Sequence, residues 1–366
     1  MQMVTRSILW SFAAGGLSLV ALGQSAASIP SDPLEMVTGS ARVLKTPAAR
    51  APVLRLLAKA RNSYSLRAAQ RAYDLKVSFQ VNSGGQTKYD GAWKMEDVFD
   101  PREGFRWTAA GPDSYSITRI STQGMLYGEG AGDYIPLRLH EARAALFDPL
   151  PGAQNVARDS LRTAFGMYQG TQLTCVLLST PAKGANAALG RRWDETEECI
   201  DPKSGLLRLH SQVPGRYYAY DYSDAPTLAG RLLPRTVTIT EGGKVVTQIS
   251  VDSLDQLPDA DAGLFVATDE MKAKGRPIGM GGAQKVWGAA DGMPLPTGTA
   301  ARTVCVFGVV TPSGQLEEAH SLQTGDPNSQ AAVAAAQKMT YSGVAPLGAN
   351  PQQHFVFVFE RFASPR

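Results

Sequence analysis

From Tyr73 the chain alternates with period two: Leu75, Val77, Phe79 and Val81 are separated by Lys76, Ser78 and Gln80, and the run stops at Asn82-Ser83-Gly84-Gly85. That pattern predicts a half-buried strand entering a hairpin turn. The same alternation recurs over Tyr89–Val98, Phe105–Thr108, Tyr115–Ile120 and Met125–Tyr127, with turns rich in Gly, Pro and Asp between them. It returns over Gln172–Ser179, Arg191–Ile200, Leu206–Gln212, Arg216–Tyr222, Arg235–Thr240 and Lys244–Ser253. Short strands at short intervals predict one large antiparallel sheet rather than alternating β-α units. Three stretches break the period. Val53, Leu54, Leu57, Ala58 and Ala60 fit an amphipathic helix within Ala51–Ala69, and helices are predicted over Leu137–Phe147 and Val156–Met167, either side of Asp148-Pro149-Leu150-Pro151-Gly152.

After Leu264-Phe265 the composition shifts to Gly and Pro, including Gly275-Arg276-Pro277, Gly279-Met280-Gly281-Gly282 and Gly292-Met293-Pro294-Leu295-Pro296. Residues 269–299 therefore read as a linker between two folded units. A second unit follows over 300–366. Thr303–Val310 is a β-rich apolar run, Thr311-Pro312-Ser313-Gly314 supplies turn chemistry, and Gln315–Leu322 resumes the extended pattern. Asp326-Pro327 then precedes the Ala-rich helical run Ser329–Lys338, and the last strand runs from His354 to Phe362. In that strand Phe355, Phe357 and Phe359 share one face and Val356 and Val358 the other. A strand apolar on both faces is either buried in its own core or covered by a partner. The second alternative makes Phe355, Phe357 and Phe359 candidate partner-binding residues.

The strand-turn-strand-helix-strand order, with Gly308-Val309-Val310, Pro312-Ser313-Gly314-Gln315-Leu316, the helix leading into Met339-Thr340-Tyr341 and the closing Val356-Phe357-Val358-Phe359, resembles the TonB C-terminal domain family over about 303–362. Met339 stands where that family usually has Trp. The resemblance implies a ββαβ module that pairs its sheet edges with partner segments, and binding rather than catalysis. Energy transducers of that family carry an uncleaved anchor and a long charged, Pro-rich spacer; neither is expected here, so powering transport is not carried over. The meander over about 51–268, with Asp201–Leu207, Tyr217–Tyr222, Leu233-Pro234-Arg235 and Leu264-Phe265, looks like the half-barrel of LolA-like periplasmic lipoprotein or lipid carriers. That likeness implies an apolar concavity for acyl chains; a sandwich, a closed barrel or an ordinary filled core fits the same alternation.

At the other end, Arg6, the apolar segment Ile8–Leu22 and the small residues Ser25, Ala26 and Ala27 form a secretory signal pattern. An uncleaved inner-membrane anchor is the competing reading, but the apolar run is short and diluted by Gly15, Gly16 and Ser18. The expected organisation is thus signal peptide 1–27, poorly ordered lead-in 28–50, β-rich domain 51–268, linker 269–299 and small domain 300–366, in a periplasmic or secreted α+β protein.

Charge changes the picture only by exclusion. Lys and Arg number 36 against 33 Asp and Glu, interspersed along the chain, so no basic stripe points to nucleic acid. In oxidising surroundings Cys175 and Cys199, on consecutive predicted strands, are a candidate disulfide; two buried thiols are the alternative, and Cys305 reads as a core residue. His140, His210, His320 and His354 lack metal-ligand spacing, and no phosphate-binding glycine loop or nucleophile elbow occurs. The acidic run Asp194, Glu195, Glu197, Glu198 and Asp201 reads as a solvated edge, and Tyr217, Tyr218, Tyr220 and Tyr222 as strand packing. The expectation is a non-enzymatic envelope protein without cofactor or metal, engaging a protein partner by strand pairing. The alternative is a lipid or lipoprotein carrier with an acyl-chain ligand.

Overall fold

The computed structural model describes residues 41–363 apart from 65, 123–124, 132–133, 148, 180–190, 275–279, 289–292, 295–301, 324 and 342–352. The signal segment and most of the lead-in lie outside the described residues.

A short strand β1 (Arg42–Val43) precedes helix α1 (Pro47–Tyr64), and the first meander follows as β2 (Tyr73–Val81), β3 (Gly91–Asp100), β4 (Gly104–Ala110), β5 (Ser116–Thr122) and β6 (Met125–Gly130). Helices α2 (Leu137–Phe147) and α3 (Ala153–Arg158) lead into β7 (Ser160–Tyr168), β8 (Thr171–Ser179), β9 (Thr196–Ile200), β10 (Leu207–Ser211) and β11 (Arg216–Asp221). After a small hairpin, β12 (Thr227–Leu228) and β13 (Arg231–Leu232), the chain forms β14 (Thr236–Glu241) and β15 (Lys244–Gln256). All but the small hairpin make one 13-stranded sheet in the order β1-β7-β8-β9-β10-β11-β14-β15-β2-β3-β4-β5-β6. The two meanders join where β15 pairs antiparallel with β2, Thr247 opposite Val81 and Gln256 opposite Tyr73.

The alternation decides which face carries the helices. Leu75, Val77, Phe79 and Val81 of β2 join Leu57, Ala60 and Tyr64 of α1 and Leu139, Ala142, Ala145 and Leu146 of α2 in one core, while Lys76, Ser78 and Gln80 point the other way. That core reaches from Ile117 in β5 to Leu161 in β7, which stand twelfth and second in the sheet order. Sheets this wide curl rather than stay flat. The two helices meet where the Tyr64 hydroxyl donates to the Ala145 carbonyl at 2.6 Å.

Residues 156–167, expected to be helical, are helical only to Arg158 and then form β7. Leu161, Thr163, Phe165 and Met167 lie at period two, and nine register pairs with β8 outweigh the helix propensity of Ala164 and Met167. The acidic run is also unlike its expectation: Glu195, Glu197 and Glu198 are buried. Arg162 reaches Glu195 at 2.9 Å, Arg191 reaches Glu197 at 3.2 Å and His210 Nδ1 lies 3.0 Å from Glu198, so each carboxylate has a basic partner that strand alternation alone does not show.

Cys175 and Cys199 face each other across β8 and β9 and are joined, with a sequence separation of 24. Replacing both by Ala is expected to lower stability by about 3 kcal/mol through the freed loop of the unfolded chain. Denaturant unfolding checks this, and an unchanged midpoint contradicts it.

The stretch 269–299, read as a linker, carries α4 (Asp269–Lys274), β16 (Met280–Trp287) and β17 (Met293–Pro294). Beyond it come β18 (Arg302–Val310), β19 (Leu316–Ser321), α5 (Ser329–Lys338) and β20 (Gln353–Ala363). The second sheet runs β16-β20-β18-β19, with β17 also beside β20. Ala332 and Ala336 of α5 pack on Val304, Val306, Val356 and Val358, the small helix side chains allowing close approach to the sheet.

Candidate functional site

The two sheets meet at the start of α2, and this junction holds a group of buried charges and rings. A helix start leaves backbone N–H groups without intrahelical acceptors and favours negative charge. Here the acceptors come from the C-terminal sheet: Glu318 of β19 accepts from Leu137 N at 2.9 Å and from the Tyr134 hydroxyl at 2.6 Å, and Gln353 of β20 accepts from Ile135 N at 2.8 Å.

At the second residue of α2, Arg138 donates to Glu141 at 2.8 Å and, through both terminal nitrogens, to Glu241 of β14 at 2.8 and 3.0 Å. Glu241 also accepts from Arg216 Nε of β11 at 3.0 Å and lies 3.0 Å from His320 Nε2 of β19. Arg216 pairs with Glu141 and donates to the Tyr218 hydroxyl at 2.7 Å. All these groups are buried, so two guanidinium groups balance two carboxylates in a dry setting where an unpaired member is costly. Burial alone pushes the Glu241 carboxyl up; Arg138 first, then His320, override it and hold it well below the usual carboxylate range. The His320 ring fixes the module's place in the group, its Nδ1 lying 2.9 Å from its own strand's Glu318 carbonyl.

Apolar contact surrounds the charges. Cys305, Phe307 and Val309 of β18 and Phe355, Phe357 and Phe359 of β20 share a buried cluster with Leu137, Val213 and Leu322, flanked by Tyr134 and Trp193. Phe307 stacks on Phe357 with centroids 4.5 Å apart and receives the Arg216 guanidinium at 4.6 Å. His140 of α2 lies 4.4 Å from Phe355, and Trp193 6.1 Å from Phe359. The three phenylalanines singled out by alternation therefore sit together, covered by the chain's own large-sheet side. On the same side Lys285 of β16 donates to the Asp194 carbonyl at 3.0 Å and to the Thr196 hydroxyl at 2.9 Å. Burial, then Arg191, pushes its amine down to about 7.

Sequence reasoning missed the ionic group. Arg138 and Glu141 are an i,i+3 pair on α2, but Arg216, Glu241 and His320 come from elements far along the chain that no local spacing joins to them; a charged residue inside an apolar alternation, such as Arg216 before Tyr217, was the available signal. Among the described residues the grouping with metal-ligand geometry is Cys175, Glu197 and Cys199, whose two sulfurs are already bonded to each other. On the sheet face opposite the helices a groove of about 790 Å³ is lined by Ser78, Gln80, Lys94, Gln248 and Ser250 together with Ala92, Ala110 and Pro112, and its surface is more apolar than polar.

No protein-family model matches the chain, the TonB C-terminal family included, and no curated protein matches it. Solved structures match in part. A LolA-superfamily protein from Nitrosomonas europaea is 10% identical, covering 58% of this chain and 96% of its own, with a TM-score of 0.35. A putative outer membrane lipoprotein-sorting protein domain from Vibrio parahaemolyticus is 8% identical, covering 60% and 97%, with a TM-score of 0.33. The MucA/MucB complex from Pseudomonas aeruginosa contains a chain 12% identical, covering 61% and 62%, with a TM-score of 0.27. Likeness at this level fixes neither ligand nor partner. Among the described residues no helix is long and apolar enough to cross a membrane.

Proposed function

We propose that the chain is a non-enzymatic carrier of the cell envelope, exported to the periplasm, whose large sheet forms a half-barrel that holds an acyl chain on the face carrying α1 and α2. The observation that carries this reading is an apolar inner face that continues past the packed core into solvent. In β7, Leu161 belongs to the core, and the unbroken register with β8 places Phe165 and Met167 on the same face. Yet Phe165 is 73% exposed and Met167 63% exposed. Arg50 of α1 donates to Asp159 and Val156 carbonyls at 3.0 and 3.1 Å, so that helix starts beside the same strand. Two large apolar side chains left in water beside a helix-covered core are what an acyl chain would cover.

Changing Phe165 and Met167 together to Ser removes apolar surface worth several kcal/mol to a ligand and little to the fold, given their exposure. The double variant is expected to bind a fluorescent fatty acid about 10- to 100-fold more weakly at unchanged unfolding midpoint. Equal affinity in both proteins contradicts the site.

A second reading has its own support. The spatial order β19-β18-β20 with α5 on one face is the ββαβ arrangement expected of a strand-pairing module, and an envelope protein partner would pair with it through a sheet edge.

A further inference from the structure

Two guanidinium groups share one carboxylate on the face of the large sheet that carries the helices. Asp97 of β3, opposite the core residue Leu75, is fully buried. Its Oδ2 accepts from Arg67, just beyond α1, at 3.3 Å and from both terminal nitrogens of Arg143 of α2 at 3.3 Å, while its Oδ1 accepts from the Tyr73 hydroxyl at 3.0 Å. Among the described residues no other carboxylate pairs with either arginine, so the group holds one positive charge in excess. Rings rather than acids surround the rest. The Arg67 guanidinium lies 4.4 Å from the Phe105 centroid and 5.0 Å from that of Phe147, and Arg143 lies 4.1 Å from Trp107. Arg67 Nε is shielded from solvent without a hydrogen-bond acceptor among the described residues, yet 36% of the Arg67 side chain is exposed. A guanidinium has five donors and no acceptor, so the open side of Arg67 keeps donor capacity that its own chain leaves unused.

The register row of Phe165 passes Thr174 and Ile200 to Leu207, near the Thr236 end of β14, whereas the C-terminal module meets the Glu241 end. Leu254 of β15, beyond the Ser250 that pairs with Thr236, leads through Leu75 to Asp97, so the arginines lie toward the same end of the sheet as the exposed Phe165 and Met167. We propose that Arg67 receives the anionic head of the acyl ligand, a carboxylate or a phosphate, with the first carbons of the chain along the half-buried rings of Phe105 and Phe147. This rests on the carrier reading and adds to it the class of ligand, an anionic rather than a neutral acyl lipid. A planar guanidinium suits either oxyanion, since it can offer two donors at once. Asp97 and Arg143 remain as a one-to-one pair behind it. The C-terminal end of α2, whose last residue is Phe147, also favours positive charge, so a purely structural use of Arg67 is the competing account.

The test titrates the full chain at neutral pH with a dansyl-labelled undecanoic acid and with its methyl ester, which differ in charge at the head alone. Wild type should bind the acid at least about tenfold more tightly than the ester, as a charge-assisted contact requires. Arg67→Gln should bring the acid down to the ester's affinity while leaving the ester's affinity and the unfolding midpoint unchanged. Arg67→Lys keeps the charge without the two-pronged geometry and should retain part of the preference. Equal binding of acid and ester by wild type overturns the proposal and leaves the carrier reading standing; binding of neither removes both. A preference that persists in Arg67→Gln overturns it too, as does a lowered midpoint with both affinities reduced together, the result a structural countercharge predicts. Should Arg67→Gln not fold, Arg67→Lys decides, and an undiminished preference there overturns the proposal. Inorganic phosphate displacing the acid at the acid's own affinity would assign Arg67 to a free anion and overturn the headgroup assignment.

Discussion

Phe357→Asp is expected to unfold the C-terminal sheet. Phe357 is fully buried, stacks on Phe307 and belongs to the cluster that joins the two sheets. Loss of a buried Phe side chain costs about 3–5 kcal/mol, and a carboxylate left there without a partner adds a further penalty. The sum exceeds about 5 kcal/mol, enough to unfold a unit of ordinary stability. Hydrogen exchange should show lost protection in β18, β19 and β20 with the β2–β5 amides retained. Full protection in the Phe357→Asp variant, with loss of binding to an envelope partner, would instead make this face an intermolecular interface and overturn its role as the seat of the module. Phe357→Leu, which keeps an apolar group, should cost less than about 1.5 kcal/mol beyond its lost volume.

The second large effect is at Glu241. Its carboxyl is held well below the usual range in the folded protein, by Arg138 and then His320 against the opposing effect of burial. A carboxyl with a depressed folded pKa contributes stability that is fully present above its unfolded value, about 4.3, and is lost as pH falls through the folded value. Wild type should therefore lose stability from roughly pH 5 downward. Glu241→Gln keeps the shape but leaves Arg138 and Arg216 with less countercharge, an imbalance of the kind that costs about 3–5 kcal/mol in a buried pair. The variant should be less stable at pH 7, with a flatter acid limb. Denaturant midpoints at pH 7, 5 and 4 check both, and parallel curves for the two proteins contradict the assignment.

How much of this is legible in the sequence depends on the range of the interaction. The alternation of Leu75, Val77, Phe79 and Val81 is a local signal, and the strand, its face and its hairpin follow from it. The same holds for α2, whose bounds coincide with the predicted helix. Ambiguity begins where propensity and pairing disagree: Ala164 and Met167 favour a helix, but Thr171–Ser179 supplies a strand to pair with. Composition misleads at 280–287, where Gly and Ala read as a linker although β20, some seventy residues away, provides the edge that orders them. The alternation of Phe355, Phe357 and Phe359 shows an apolar face, but not that Leu137, His140 and Trp193 cover it. Longest in range are the contacts at the start of α2, where Glu318 and Gln353 accept from Leu137 and Ile135 at separations of 181 and 218 residues. No local rule pairs these, because the site is made by docking two sheets.

The carrier reading meets its most direct test in lipid extraction and mass spectrometry of the full chain isolated from the cells that produce it. The predicted result is acyl lipid co-purifying at about one equivalent or less per chain, reproducible between preparations, and falling at least about tenfold in the Phe165→Ser/Met167→Ser variant, as the lost apolar contact requires. Folded protein that carries no acyl lipid, or carries the same amount in the variant as in wild type, would contradict it.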